Sequence, residues 1–303
     1  MIKRLRLRYY ALSAKLPTSY KAALIIALIL AVVWWLVALI FRANNLATVW
    51  FDQGSNFTQL GYHISDPYQV KGFVDPPWTA ILLAPFALLP LSLAVLIQLC
   101  LYFVIMTAVI FKFGGNAKTV LLVLLSFIAL DSALELNIEW LVYLGLLVSP
   151  AFSGPFLVIK PQDAFGYWLT FKRRDFVRAV GVLLAVVLVS LILWPGWPMK
   201  MLTAIQQNTL GHFYNIAPVA LMPWPIAIII GLILAWFGFR RRDPFLAIWA
   251  WLFFAPYLTY YSLLLPFALL AIRYPRVALL FSAMMWLIFG GIIGVAIFAH
   301  YVR

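Results

Sequence analysis

Acidic residues are scarce in this chain: nine Asp and Glu stand against 22 Lys and Arg in 303 residues, and charged residues of all kinds make up only 10%. A soluble domain of ordinary composition carries about 25% charged residues, so a water-facing globular surface is excluded. Cysteine occurs once, as Cys100 in an apolar run, which rules out an internal disulfide framework and a four-cysteine metal site. The three histidines, His63, His212 and His300, are scattered, and no dense acid cluster accompanies them; we expect no metal site. Walker, dinucleotide and nucleophile-elbow signatures are missing too, so no cofactor is expected. Internal repeats, low-complexity tracts and a second domain are likewise absent, as is the apolar–polar alternation of a membrane β-barrel.

What the chain has is apolar length. Two thirds of it, 66%, is hydrophobic and 17% is aromatic, and apolar runs near twenty residues recur. These predict an all-α membrane protein, a polytopic helical bundle forming one integral-membrane domain over 1–303. The net charge of +13 would suit nucleic acid, but the basic residues cluster in alternate connections, as the positive-inside rule describes. No nucleic-acid partner is expected. The N-terminus shows no evident small-residue cleavage site and is read as leading into a retained first span.

Residues 1–22 carry Lys3, Arg4, Arg6, Arg8, Lys15 and Lys21, a cytoplasmic anchor. Span 1 follows over about Ala23–Phe41, and 42–90 forms an outer loop with Asp52, Asp66 and Asp75. Pro85 and Pro90 divide the long run after Trp78 into a short juxtamembrane helix, Trp78–Leu89, and span 2, Leu91–Phe111. Span 3 is expected over Thr119–Leu134, with an outer turn holding Glu135, Asn137 and Glu139. Span 4, Ile138–Val148, leads into a Pro/Gly-punctuated stretch, 150–171, read as a broken or re-entrant element. Span 5, Val177–Trp194, is followed by an outer loop to Pro223. Span 6 reaches Phe239. Two short spans parted near Pro256-Tyr257 and a last one from Val277 to about Ala299 complete about nine. Seventeen of the 22 basic residues then face the cytoplasm, and the C-terminus lies outside.

Against this background a few polar residues stand out. Asp52 follows span 1 among Phe51, Phe57, Tyr62, Tyr68 and Trp78, which would hold its loop to the membrane surface and limit water. A carboxylate desolvated in this way suits a general base; the plainer reading is a solvated loop acid. Asp66-Pro67 and Asp75-Pro76 are turn contexts, where structural duty is expected. Lys160 is an ammonium at membrane depth, either a phosphate contact or a lysine that snorkels or pairs with Asp163. Asp163 is expected near the cytoplasmic side of the same element. Glu135, Asn137 and Glu139 either bind sugar hydroxyls or cap helices, with Asp131 on the face of Glu135. His212, Tyr214 and Asn215 form a possible polar rim. Asn56-Phe57-Thr58 is a weak glycosylation match.

The order of these landmarks resembles the GT-C superfamily of glycosyltransferases. An outer-loop acid after span 1 precedes Asp75-Pro76-Pro77-Trp78 and an apolar run through Pro85 to Leu89-Pro90. Then come Asn137-Ile138-Glu139-Trp140-Leu141-Val142, Ile159-Lys160-Pro161-Gln162, and Ala255-Pro256-Tyr257 before Leu265-Pro266. The pattern is most similar to the polyprenyl-phosphate-mannose-dependent mannosyltransferases of glycosyltransferase family 87, in a shortened chain. The resemblance implies transfer of a hexose, mannose first, from a polyprenyl-phosphate-sugar to an acceptor hydroxyl of a glycolipid, glycan or protein at the outer face. The family's catalytic acid would fall on Asp52, and its Lys-Pro on Lys160 and Pro161. Lys160, Lys200 or Arg42 would stabilise the departing phosphate. Membrane lipids are expected partners, and a partner membrane subunit is possible for a shortened relative that keeps the fold without catalysis. A prokaryotic plasma membrane is the expected location.

Overall fold

The computed structural model describes residues 18–45, 49–50, 58–207 and 215–301, with the backbone alone for 18, 58 and 292–301. The described residues form helices and connecting turns, with no strand among them. In chain order the main helices are α1 (Thr18–Ala43), α2 (Trp78–Ala87), α3 (Leu91–Lys112), α4 (Ala117–Leu124), α5 (Phe127–Glu135), α6 (Glu139–Leu147), α7 (Gly154–Leu157) and α8 (Pro161–Ala164). After these come α9 (Arg173–Leu193), α10 (Trp197–Gln207), α11 (Trp224–Arg241), α12 (Pro244–Leu252), α13 (Leu264–Arg273) and α14 (Pro275–Tyr301).

Four helices, α1, α3, α9 and α11, are long and apolar enough to cross a membrane, or five crossings if the bent pair α4–α5 is one span. The shorter apolar helices include Trp78–Ala87 and Tyr261–Arg273. At 1.5 Å per residue, the nine residues of α6 or of α12 reach only about 14 Å, less than half the ~30 Å hydrocarbon core. The expected spans over Ile138–Val148 and 244–273 are therefore built from helices shorter than that core.

Local chemistry sets the boundaries. Pro90 precedes α3, and Gly114, at φ 92°, turns the chain out of it. Asn116 caps α4 through the N–H groups of Lys118 and Thr119, with Thr119 completing the reciprocal box. The expected third span is broken instead of continuous: α4 and α5 meet at 61°. Ser126 causes the break by capping α5 through the Ala129 N–H while donating to the Val123 carbonyl. The carbonyls freed at the bend accept from indole donors, Trp34 to Leu124 at 2.8 Å and Trp286 to Leu125 at 3.0 Å. Backbone polar groups in an apolar setting are thus satisfied by side chains from other helices.

α3 is the central element: 61% of its most apolar window is buried, against 11% for α9 and 17% for α11. It packs against α1 and α6, with α13 beside it. The basic segments converge at one end of the bundle. Tyr20 meets Phe111 at 4.7 Å beside Lys112, Gly115 abuts Ile272 beside Arg273, Arg273 pairs with Asp243, and Trp168 meets Phe176 within the Lys172–Arg178 stretch. At the other end, Trp194 donates to the Ile64 carbonyl, Lys200 pairs with Asp66, and the Trp50 N–H bonds the Leu134 carbonyl.

The Pro/Gly-punctuated element makes a U-turn. The Lys112 ammonium donates to the Leu146 carbonyl at the end of α6 and lies 5.9 Å from the Tyr167 ring. Segment 147–167 therefore leaves and returns at the same end, as a re-entrant element does. α12 and α13 form a second such pair, joined at their basic ends by Asp243 and Arg273, with residues 253–263 as the turn between them.

Candidate functional site

Short elements from distant parts of the sequence bring a polar cluster together inside the bundle. Lys160, immediately before α8, places its ammonium 2.7 Å from Glu139 Oε1 at the start of α6. Both are buried, Glu139 completely and Lys160 to 9% exposure. The same ammonium sits 5.2 Å from the centre of the Tyr261 ring, a cation–π contact. Tyr261 comes from the turn between α12 and α13; its hydroxyl accepts from Asn137 Nδ2 at 3.3 Å, and its N–H donates to the Asp131 carboxylate. The Asn137 side-chain oxygen accepts the Ile138 N–H at 2.7 Å.

Two more acids complete the cluster. Asp75, ahead of α2, is 5% exposed, and Asp163, within α8, is 1% exposed. Both lie within electrostatic range of Lys160. Tyr68 donates to the Asp75 carbonyl at 2.9 Å and fixes the turn that carries this acid inward. Tyr102 of α3 and Tyr143 of α6, both fully buried with ring centres 5.7 Å apart, form the adjoining wall. One ammonium thus faces three carboxyls, Glu139, Asp163 and Asp75. An isolated ion in such a place is costly, which is why buried charges are paired or neutralised.

The residues singled out from sequence divide into three groups. Lys160, Asn137 and Glu139 are drawn together. The partner of Lys160 is Glu139, 21 residues away, and not Asp163 as the pairing within one element suggests. Asp163 is buried among the cluster residues. Glu139 serves the ion pair and makes no side-chain cap. Asp75, read from sequence as a turn residue, is a buried member of the cluster; its burial signal was the Pro-Pro-Trp that follows, which starts α2 inside the bundle. Tyr261 and Tyr143 carry no signal in the sequence that separates them from other aromatics.

Arg42 and Lys200 stand apart from this cluster. Arg42, at the end of α1, is exposed and stacks its guanidinium 5.2 Å from the Trp50 ring. Lys200 bonds Asp66 at 2.8 Å at the surface, and this hydrogen bond and charge hold the Asp66 carboxyl below its usual value. Asp52, His212 and Tyr214 lie outside the described residues. Asn215 donates to the Pro256 carbonyl and accepts the N–H groups of Ala217 and Leu258, a clamp between two loops. A shallow cavity of about 290 Å³ lies at the basic end, lined by Arg273–Val277. Among the described residues no group of His, Cys, Asp and Glu is arranged to hold a metal ion.

No protein-family model, curated protein or solved structure matches the chain.

Proposed function

We propose that this chain is a membrane glycosyltransferase of the GT-C type, moving a hexose, mannose first, from a polyprenyl-phosphate-sugar to an acceptor hydroxyl at the outer membrane face. The observation that carries this reading is convergence. The Asp75-Pro-Pro-Trp, Asn137–Glu139 and Lys160-Pro161 landmarks, spread over 87 residues of sequence from 75 to 161, meet around Tyr261 in one buried polar cluster. Apolar packing alone gives no reason for these particular residues to meet.

In this reading Asp52 is the general base. It takes the acceptor hydroxyl proton as that oxygen attacks the anomeric carbon, and the lipid phosphate departs with the electrons of the broken C–O bond. A single displacement of this kind inverts the anomeric centre and needs no covalent intermediate. The described chain leads to Trp50, two residues before Asp52, and Trp50 is tied to Leu134 beside the cluster. The cation best suited to the leaving phosphate is Arg42, exposed and stacked on Trp50, whereas Lys160 and Lys200 already hold carboxylates. Asn137 suits sugar hydroxyls, and Glu139, buried on Lys160, would position the cluster beside it. Gathering of the basic segments at one end supports the orientation proposed with this function: a multi-pass chain in a prokaryotic plasma membrane, N-terminus cytoplasmic and C-terminus outside.

Asp52→Asn, in membranes supplied with polyprenyl-phosphate-mannose, should lower transfer by about 10²–10⁴-fold while the protein remains folded. Undiminished transfer by that variant sinks the mechanism. A second reading, a GT-C-like accessory subunit that binds lipid or a partner protein, is favoured by the occupied state of Lys160, whose ammonium is taken by Glu139. Recovery of the wild-type chain in a stoichiometric complex, with no transfer alone or within it, would decide for that reading.

A further inference from the structure

We propose that Asp163 is a buried proton-binding site, which holds its proton at neutral pH and, on losing it, competes with Glu139 for Lys160. The inference is independent of sugar transfer and rests on the arrangement of the cluster alone. Asp163 is 1% exposed, and neither of its carboxyl oxygens has a hydrogen-bond partner. The ammonium nearby is already committed: it bonds Glu139 Oε1 at 2.7 Å and rests on the Tyr261 ring. The Ser262 hydroxyl, 3.3 Å from that of Thr259, is a neutral group beside Asp163 and brings no compensating charge.

Among the described residues, the elements packed on α8 bring Asp163 no cation other than Lys160. α6 brings Glu139 and Tyr143, the turn 261–263 brings Tyr261 and Ser262, and α3 adds Tyr102 behind Tyr143. Asp75 approaches from ahead of α2. The turn 165–170 contributes Tyr167, which is engaged with Lys112, and α7 and α12 contain no titratable residue. The groups around Asp163 are thus one cation, two acids and neutral hydroxyls. A carboxylate there would be a desolvated anion beside other acids, with its only cation bound elsewhere. A proton relieves that cost with no movement of the chain. Without it, the charge on Asp163 pulls Lys160 from Glu139, and because Lys160 links α6, the start of α8 and the 261–263 turn, the exchange strains all three.

The test uses the full chain in lipid nanodiscs, read by infrared spectroscopy in heavy water at neutral pH. The expected result is a band from a protonated carboxyl that disappears in Asp163→Asn, shifts in Asp163→Glu and persists in Glu139→Gln. Absence of a protonated-carboxyl band in the wild type, or one unaffected by both Asp163 changes, overturns the proposal. If Asp163→Asn does not fold, the Asp163→Glu shift decides alone. The competition for Lys160 has its own readout. A carboxyl kept neutral by folding supports the fold at low pH and withdraws that support as pH rises through its folded-state value. The wild-type melting temperature should therefore fall as pH rises above the unfolded carboxylate value of about 3.9, and Asp163→Asn or Asp163→Glu should alter that dependence. A profile identical in wild type and both variants removes the switching role.

Discussion

Lys160 and Lys200 each hold one carboxylate at nearly the same distance, 2.7 Å to Glu139 and 2.8 Å to Asp66. Their surroundings are opposite. The first pair is shut inside the bundle, with side-chain exposures of 11% and 1%, whereas the second stands at 48% and 28%. Coulomb's law acts on both, but water competes for only one. At the surface, solvation of the separated ions cancels most of the attraction, and such pairs contribute about 0–1 kcal/mol. Inside, the pair is not a large source of stability either, because both ions were stripped of water to form it. What burial creates is dependence: each ion becomes intolerable without the other. One residue type at one bond length is therefore a loose tether in one place and a constraint on three separate chain segments in the other.

The largest expected effect comes from breaking the buried pair on one side. Lys160→Met leaves the Glu139 charge without its cation and should destabilise the fold by about 3–5 kcal/mol in denaturant unfolding in detergent. Adding Glu139→Leu should recover most of that loss. A single change no more harmful than Lys200→Met would break the comparison. Next is a purely steric lesion at a neighbouring joint: a Cβ on Gly166 would lie 2.1 Å from the Ala247 carbonyl oxygen. Gly166→Ala should cost about 1–3 kcal/mol with no pH dependence, which separates packing from charge where α12 meets the re-entrant element. Tyr261→Phe keeps the ring beneath Lys160 but removes the hydroxyl that Asn137 uses; about 1 kcal/mol should be lost, read by the same unfolding curves.

The smallest effect belongs to the surface pair, and its sign follows from Asp66. Its carboxyl titrates below the ordinary value because Lys200 bonds its charged form. The stabilisation is therefore present above the unfolded carboxylate value of about 3.9 and is lost as pH falls through the lower folded value. Acidification below about pH 4 should weaken the contact by no more than about 1 kcal/mol, and Asp66→Asn should remove that acid-dependent part. Hydrogen exchange in α10 and the 64–69 loop would report it locally.

The long spans were legible because apolar length and proline punctuation are local signals. Leu91–Phe111 is found as Leu91–Lys112, and the short helix after the Pro-Pro pair begins at Trp78. The bend at Ser126 was not legible, because neither proline nor glycine marks it; a capping serine and two distant tryptophans make it stable. α10, within the expected loop before Pro223, has no signal as a run because its apolar residues form a stripe on a polar helix. In the polar cluster, Lys160 announces itself by being charged among apolar neighbours. Its partner does not, since the Glu139 pairing depends on how α6 and α8 are packed. Asp75 was hidden by its own good turn chemistry, because an Asp-Pro looks the same in sequence whether the turn faces water or the core.

The U-turn between Leu146 and Tyr167 has a consequence for the path of the chain as a whole. A segment that enters and leaves through one face adds nothing to the count of crossings, so everything after Lys172 keeps the sidedness it would have if the segment were cut to a short link. Twenty residues that include the most unusual cation in the chain are thus neutral in parity. They supply interior chemistry without deciding which way the remaining helices face.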